Sequence, residues 1–260
     1  MLHLLTLPDG ARLACHEFIP ACPRSHPLVL LHGFTGTAQR HLGSLIAALA
    51  PEYRVLAPDL RGYGASRPPN RDFPPDFYRR DAADVAWLLE TLLPGERGIL
   101  LGFSDGAEVA LLVAALWPDR VAGVVAWGVS GVISAEHLEA VRDWLPVSAW
   151  GPERAAWREQ IIADHGAEQL ESLIAGWVAA AHAIAAAGGN ICLEEAAAIR
   201  CPVLLINGDR EVGNTVRDVT RLATRIPNCQ LEFMPNCGHA VHCDQPDAFL
   251  ARVRGFLGNW

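Results

Sequence analysis

Short apolar segments that alternate with helical patterns constrain the fold of this chain most. The apolar segments are residues 27–33, 54–60, 98–104, 121–128 and 201–208, with 229–234 as a weaker sixth. The helical patterns cover residues 38–50, 76–93, 105–117, 214–226 and 246–257. Continuous apolar character is typical of strands buried on both faces of a parallel sheet. The alternation therefore predicts an α/β fold with right-handed crossovers.

Two regions depart from this rhythm. Residues 2–7 and 11–18 alternate in polarity around a Pro-Asp-Gly turn, which predicts a β-hairpin. Residues 132–199 carry apolar and Trp positions at helical spacing but no strong strand. We therefore predict a core formed by residues 1–131 and 200–260, and a helical cap of residues 132–199 with Gly188-Gly189 as its exit hinge.

Composition excludes several classes of function. The chain is 51% hydrophobic with a formal net charge of −8, and no run of apolar residues is long enough to span a membrane. An acidic chain binds nucleic acid poorly, so no nucleic-acid partner is expected. The sequence contains no Lys, which excludes Schiff-base chemistry, pyridoxal phosphate enzymes and a Walker A loop. Seven Cys without a C-x-x-C pair, and no signal-peptide pattern, predict a cytoplasmic protein.

The candidate nucleophile is Ser104, in the segment Gly-Phe-Ser-Asp-Gly at 102–106. This G-x-S-x-G pattern follows an apolar strand and opens a helix, and that context is more specific than the five residues alone. A sharp strand-to-helix turn raises the serine hydroxyl above the sheet edge. The helix N-terminus beneath it supplies positive potential.

A serine hydroxyl needs a general base within hydrogen-bond reach. His239 follows the last apolar strand in a loop, and this position favours it over His242 and His32. The supporting acid is expected after the strand that ends at residue 208, where both Asp209 and Glu211 are available. We favour Glu211 and keep Asp209 as the alternative.

Two backbone amides are expected to form an oxyanion hole. Asp105 follows the nucleophile and supplies one amide, and Phe34 in the turn His-Gly-Phe-Thr-Gly supplies the other. No cofactor is required for this chemistry.

Three other features of the sequence are only weak indicators of a functional site. A short cluster of Cys237, His239, His242 and Cys243 lacks the spacing of a standard zinc site, so no metal is predicted. The basic tract Arg61, Arg67 and Arg71 is expected to be a solvated loop face. Trp144, Trp150, Trp157 and Trp177 are expected to be core residues, or to wall an apolar pocket.

Longer stretches resemble a known family. The segments LLHGFTGT, DLRGYGASRPPNRDFP, GFSDGAEVALLVAALWP, CPVLLINGDREV and MPNCGHAVH span nearly the whole chain. Together they resemble the α/β-hydrolase fold, and within it they are most similar to the valacyclovir-hydrolase, or biphenyl-hydrolase-like, family. The resemblance implies a mostly parallel eight-stranded sheet with helices on both faces and a helical cap.

The same resemblance implies a serine esterase acting on small α-amino acid esters. The nucleophile maps onto Ser104, the base onto His239 and the acid onto Glu211, where the family has Asp. It also implies that Asp105 binds the substrate's α-ammonium, although an acid in the first helical turn is favoured by the helix dipole as well. Carbon–carbon bond hydrolases, cofactor-free haloperoxidases and a non-catalytic ligand-binding protein remain as alternatives. The sequence leaves the oligomeric state open.

Overall fold

A computed structural model describes residues 1–258 and 260. Its centre is one eight-stranded sheet in the order β1-β2-β4-β3-β5-β6-β7-β8. The strands β1 and β2 are antiparallel to their neighbours, and every later pair is parallel. In chain order the strands are Leu2–Thr6, Arg12–Phe18, Leu28–Leu31, Val55–Pro58, Gly98–Phe103, Val121–Trp127, Val203–Gly208 and Cys229–Met234. The predicted fold class is confirmed.

The helices lie close to the predicted segments. Within the described residues the α-helices, α1 to α9 in chain order, are Ala38–Leu49, Phe77–Leu92, Asp105–Leu116, Ala135–Val141, Ala155–His165, Leu170–Ala186, Val216–Arg225, Val241–Asp244 and Pro246–Leu257. None of these described helices has the length and apolar character needed to cross a bilayer.

The sheet buries both of its faces, as the continuous apolar strands predict. In β3, Leu28 and Leu30 pack into an apolar cluster shared with α1 and α9. Val29 and Leu31 point to the opposite cluster, which α2 and α3 complete. A fully buried Leu or Val contributes roughly 1.5–3 kcal/mol. The four fully buried residues of this short strand therefore anchor the layer that carries the site.

Residues 132–199, here called the insertion, begin beside a glycine pair at 188–189 that lies near their other end. An isolated bridge pairs Val132 with Asn190, and the Ile133 amide donates to the carbonyl of Gly189 at 2.8 Å. Gly188 and Gly189 have φ of +107° and +80°, where a side chain would be strained. The insertion contains α4, α5 and α6. Its division from the core as a cap stays a prediction.

The prediction of a solvated basic tract is wrong for Arg61 and Arg71, which are only 5% and 6% exposed. Arg61 pairs with Asp84 at 2.6 Å, and Arg71 with Asp81 at 2.7 Å. Both carboxylates belong to α2, whose core face lies against the loop. A local charge pattern does not reveal such partners because they meet only after the helix has docked.

Candidate active site

The turn between β5 and α3 holds Ser104 in a conformation that few side chains adopt. Its φ is +54° and its ψ is −122°. The flanking glycines permit this turn. A Cβ on Gly102 would lie 2.4 Å from the carbonyl oxygen of Gly106, and one on Gly106 would lie 2.3 Å from that of Leu31. The sharp reversal predicted from the G-x-S-x-G pattern thus requires both glycines.

Three predicted side chains meet at the carboxyl edge of the sheet. The Oγ of Ser104 lies 3.0 Å from Nε2 of His239, and Nδ1 of the same ring lies 2.6 Å from Oε2 of Glu211. Each follows a different strand (β5, β7 or β8), because parallel strands bring their carboxyl ends to one edge. The arrangement can activate a hydroxyl as a nucleophile.

The carboxylate of Glu211 is buried and held by its own loop. Its Oε1 accepts hydrogen bonds from the amides of Gly213 and Asn214 at 3.1 and 3.4 Å. Burial alone would raise the pKa of Glu211. The hydrogen bond and charge of His239, together with these two amides, lower it by more, so the net pKa lies below the usual value. Asp209 lies at an exposed position on the same loop.

The rival histidines have other partners. Nδ1 of His242 accepts from the indole of Trp127 at 2.9 Å, and its Nε2 donates to the carbonyl of His41 at 3.1 Å. His32 is fully buried, and its Nε2 accepts from the Leu60 amide at 2.9 Å. Burial lowers the pKa of His242 to about 4 and that of His32 to about 3.

Phe34 and Asp105 line the same cavity as Ser104. Asp105 is the first residue of α3, and Phe34 follows β3, the strand beside β5. Within the described residues, no backbone hydrogen bond engages the amide N–H of Phe34 or of Asp105. Two free amides near a serine hydroxyl can accommodate a developing oxyanion.

Asp105 is 7% exposed and lines a cavity beside Ser104. Its Oδ1 accepts from the hydroxyl of Tyr78 at 2.7 Å, and its Oδ2 accepts from the indole of Trp177 at 3.1 Å. Burial raises the pKa of Asp105 to about 6, although Tyr78, the charge of Arg71 and Trp177 act in the opposite direction. No pattern in the sequence indicated that Tyr78 is a partner of Asp105, because its position in α2 is typical of a core residue.

This cavity, here called the acid cavity, has a volume of about 230 Å³. Three carboxylates line it, those of Asp105, Glu108 and Glu211. Aromatic rings form much of the remaining wall, and they include Phe34, Trp144 and Trp177. Trp144 and Trp177 thus wall the pocket, whereas Trp150 is buried against Trp157 with ring centroids 4.7 Å apart.

Two further residues of the acid cavity were not predicted from the sequence. Glu108 lies one turn after Asp105 and is 4% exposed. His137 comes from α4 of the insertion, and burial lowers its pKa to about 4. The i, i+3 spacing of Asp105 and Glu108 could have indicated two acids on one helix face.

The two histidines in the sequence cluster of Cys237, His239, His242 and Cys243 have protein hydrogen-bond partners. Within the described part of the chain, no three His, Cys, Asp or Glu side chains are arranged to hold a metal ion. The nitrogens of His239 and His242 are directed at the partners described above.

Comparison with known proteins agrees with this architecture. The family model described as "Alpha/beta hydrolase family" matches residues 28–252. The human protein "Serine hydrolase BPHL" is 32% identical over 237 residues, which cover 89% of this chain and 79% of that protein. The mouse protein of the same name is 31% identical over 234 residues, with the same coverage.

The solved structures include a hydrolase from Pseudomonas aeruginosa PA01. It superimposes with a TM-score of 0.75 at 25% identity, and the match covers 99% of this chain and 98% of the other. The sheet, the family match and the identity to serine hydrolases agree, and this chain belongs to the alpha/beta hydrolase family.

Proposed function

We propose that this hydrolase cleaves small carboxylic esters through an acyl-enzyme on Ser104. The observation that carries the proposal is the hydrogen-bonded series from the Ser104 hydroxyl through His239 to Glu211, with distances of 3.0 and 2.6 Å. The identity to proteins named serine hydrolases supports it.

The proposed reaction has two steps. The Oγ of Ser104 attacks the ester carbonyl while Nε2 of His239 takes the hydroxyl proton. The amides of Phe34 and Asp105 stabilise the oxyanion, and the alcohol leaves after His239 returns the proton to its oxygen. Water then attacks the acyl-enzyme by the same route. Glu211 orients the imidazole and stabilises its charged form.

We further propose that esters of α-amino acids are preferred. The carboxylate of Asp105 is buried in the acid cavity next to the nucleophile, so it can pair there with an α-ammonium group. Glu211 also lines the cavity, and because its pKa is lowered it adds to the negative potential. The expected partner is a small molecule, and the free state of all seven cysteines supports the expected cytoplasmic location.

Labelling with a fluorophosphonate, together with ester turnover, tests the proposal. We expect stoichiometric labelling of the wild type and none of Ser104→Ala, whose kcat should fall at least about 10⁴-fold. Ser25→Ala is the matched control, because Ser25 is exposed before β3, at the opposite end of that strand from the site.

A folded Ser104→Ala protein that retains turnover would contradict the proposed nucleophile. Turnover of a β-diketone in preference to every ester would favour a carbon–carbon bond hydrolase. Absence of both labelling and turnover in the wild type would favour a non-catalytic ligand-binding protein.

A further inference from the structure

A second cavity, here called the arginine cavity, meets the acid cavity at the nucleophile. It has a volume of about 540 Å³, and Arg40, Arg154 and Trp157 are among its lining residues. Ser104 and His239 line both cavities, as do Phe34 and Trp144. The last two rings are stacked, with centroids 5.8 Å apart and planes 7° from parallel. This stacked pair therefore borders two separate spaces that both reach the reacting serine.

The two cavities carry charged side chains of opposite sign. The acid cavity is lined by three carboxylates and, among the described residues, by no arginine. The arginine cavity is lined by two arginines and, within the same part of the chain, by no Asp or Glu. A substrate that bridges Ser104 thus meets acidic groups on one side and basic groups on the other.

Both arginines already have a carboxylate partner, but neither partner lines the cavity. Arg40 binds Asp164 through Nε and Nη2 at 3.0 and 3.1 Å, which leaves Nη1 outside this pair. Arg154 donates from Nη2 to the carboxylate of Asp143 at 2.7 Å and from Nη1 to the backbone carbonyl of the same residue at 3.0 Å, which leaves Nε outside this pair. A guanidinium has five donor hydrogens, so each retains capacity to hold a further anion.

The chemistry at Ser104 assigns one half of an ester to each cavity. In the proposed function Asp105 holds the α-ammonium of the acyl half, which places that half in the acid cavity. His239 must protonate the departing alcohol oxygen, and the arginine cavity extends from His239 along Ala240, His242 and Cys243. The alcohol half therefore has the arginine cavity available.

Aromatic surface in the arginine cavity favours a ring in the alcohol. Phe103, Trp144 and Trp157 are part of its wall, and the indole nitrogen of Trp157 is already bonded to the Thr35 hydroxyl at 2.8 Å. An aromatic ring against such a wall gains stacking and apolar burial.

Resting on the proposed function, we propose that the arginine cavity selects aromatic alcohols that carry an anionic group, so that the preferred substrate is positive in its acyl half and negative in its alcohol half. Arg40 and Arg154 are the specificity-determining residues of this subsite. Because both are partly exposed, at 47% and 21%, their contribution is expected to weaken at high salt.

Two esters that differ by one group test this inference. The benzyl ester of alanine and its 4-carboxybenzyl ester share the acyl half and the ring, and only the second carries an anion in the alcohol half. We expect the wild type to have a kcat/KM about tenfold higher for the anionic ester at low salt. Arg40→Gln and Arg154→Gln should each reduce this ratio about threefold to tenfold. The ratio cancels any loss that is common to both esters.

Arg24→Gln is the control for the change in net charge. Arg24 is 49% exposed and pairs with Glu52 at 2.9 Å, much as Arg40 pairs with Asp164, but it does not line the arginine cavity. Its ratio should equal that of the wild type.

Equal kcat/KM values for the two esters in the wild type would overturn the inference and leave the proposed esterase intact. A preference that survives in both arginine variants would overturn it as well, because the anion would then be bound elsewhere. Failure of the wild type to hydrolyse either ester would contradict the proposed function itself.

Discussion

The carboxylate of Glu211 lies 2.6 Å from Nδ1 of His239, which follows it by 28 residues in the chain. One carboxylate oxygen is occupied by amides of its own loop, at Gly213 and Asn214, and the other is directed at the imidazole. The Glu side chain, which is one methylene longer than Asp, is therefore held in place by hydrogen bonds from its own loop. This geometry favours Glu211 over Asp209, the alternative that the sequence left open.

Replacing the acid tests that assignment. Glu211→Gln keeps the size of the side chain but cannot stabilise a charged imidazole, so we expect kcat to fall about 10³–10⁴-fold. Glu211→Asp retains the charge on a side chain one methylene shorter and should lose less. Steady-state ester hydrolysis measures both. Asp209→Asn is the matched control, and a larger loss in that variant would show that the acid is misassigned.

The acyl preference should depend on pH through Asp105, whose pKa burial raises to about 6. An ionised Asp105 is needed to pair with an α-ammonium, and the ammonium stays charged throughout acid pH. The ratio of kcat/KM for alanine benzyl ester to that for benzyl propanoate should therefore fall as pH is lowered through about 6. Effects on Ser104 and His239 are common to both esters and cancel.

Asp105→Asn provides the reference for this measurement. It should hydrolyse the aminoacyl ester about as poorly as the neutral one, and its ratio should not vary between pH 5 and 7. A ratio in the wild type that is flat across this range would instead leave Asp105 with a purely structural role at the helix N-terminus.

The sequence predicted what depends on strand order and on local turns. Continuous apolar runs specified a buried parallel sheet, and the segment around Ser104 specified its sharp turn. The chain order of nucleophile, acid and base was then enough to predict that Ser104 and His239 lie at the same edge of the sheet. These inferences need no knowledge of how the helices dock.

Contacts that form only after docking were not predictable. The Tyr78 hydroxyl reaches Asp105 because the start of α2 lies over the start of α3, and nothing local to either residue indicates it. Arg71 was expected in solvent for the same reason, since its partner Asp81 lies on the buried face of α2.

The Arg71–Asp81 pair should be important for stability. Both side chains are almost fully buried, at 1% and 2% exposure, and the guanidinium also lies 4.8 Å from the ring centre of Phe73. Removing one partner leaves the other charge buried and unpaired, so Asp81→Asn should reduce the free energy of unfolding by about 3–5 kcal/mol. Chemical denaturation measures the loss. The exposed pair of Arg142 and Glu139 is the control, and Glu139→Gln should change stability by less than about 1 kcal/mol.

Glu108 links α3 to the chain segments on either side of the three α-helices of the insertion. Its Oε1 accepts from the Gly131 amide at 2.9 Å, where the insertion begins, and its Oε2 accepts from the thiol of Cys192 at 3.1 Å, after the Gly-Gly hinge. Burial raises the pKa of Glu108 from 4.5 to about 7, although the hydrogen bonds from Cys192 and from the Gly131 and Ser130 amides oppose this. The folded protein therefore holds this proton more tightly than the unfolded chain does.

That difference predicts a pH-dependent stability. The stabilising effect of the bound proton is complete below about pH 4.5 and is lost as pH rises through about 7, by roughly 3 kcal/mol in total. Glu108→Gln cannot ionise, so the Tm of the wild type should fall relative to that of the variant between pH 5 and pH 7.5. Titrating groups that do not interact with Glu108 affect both proteins alike. Glu139→Gln removes an exposed carboxylate of α4 and should show no such trend, and a parallel course of the wild-type and Glu108→Gln curves would mean that Glu108 is ionised in the folded protein throughout this range.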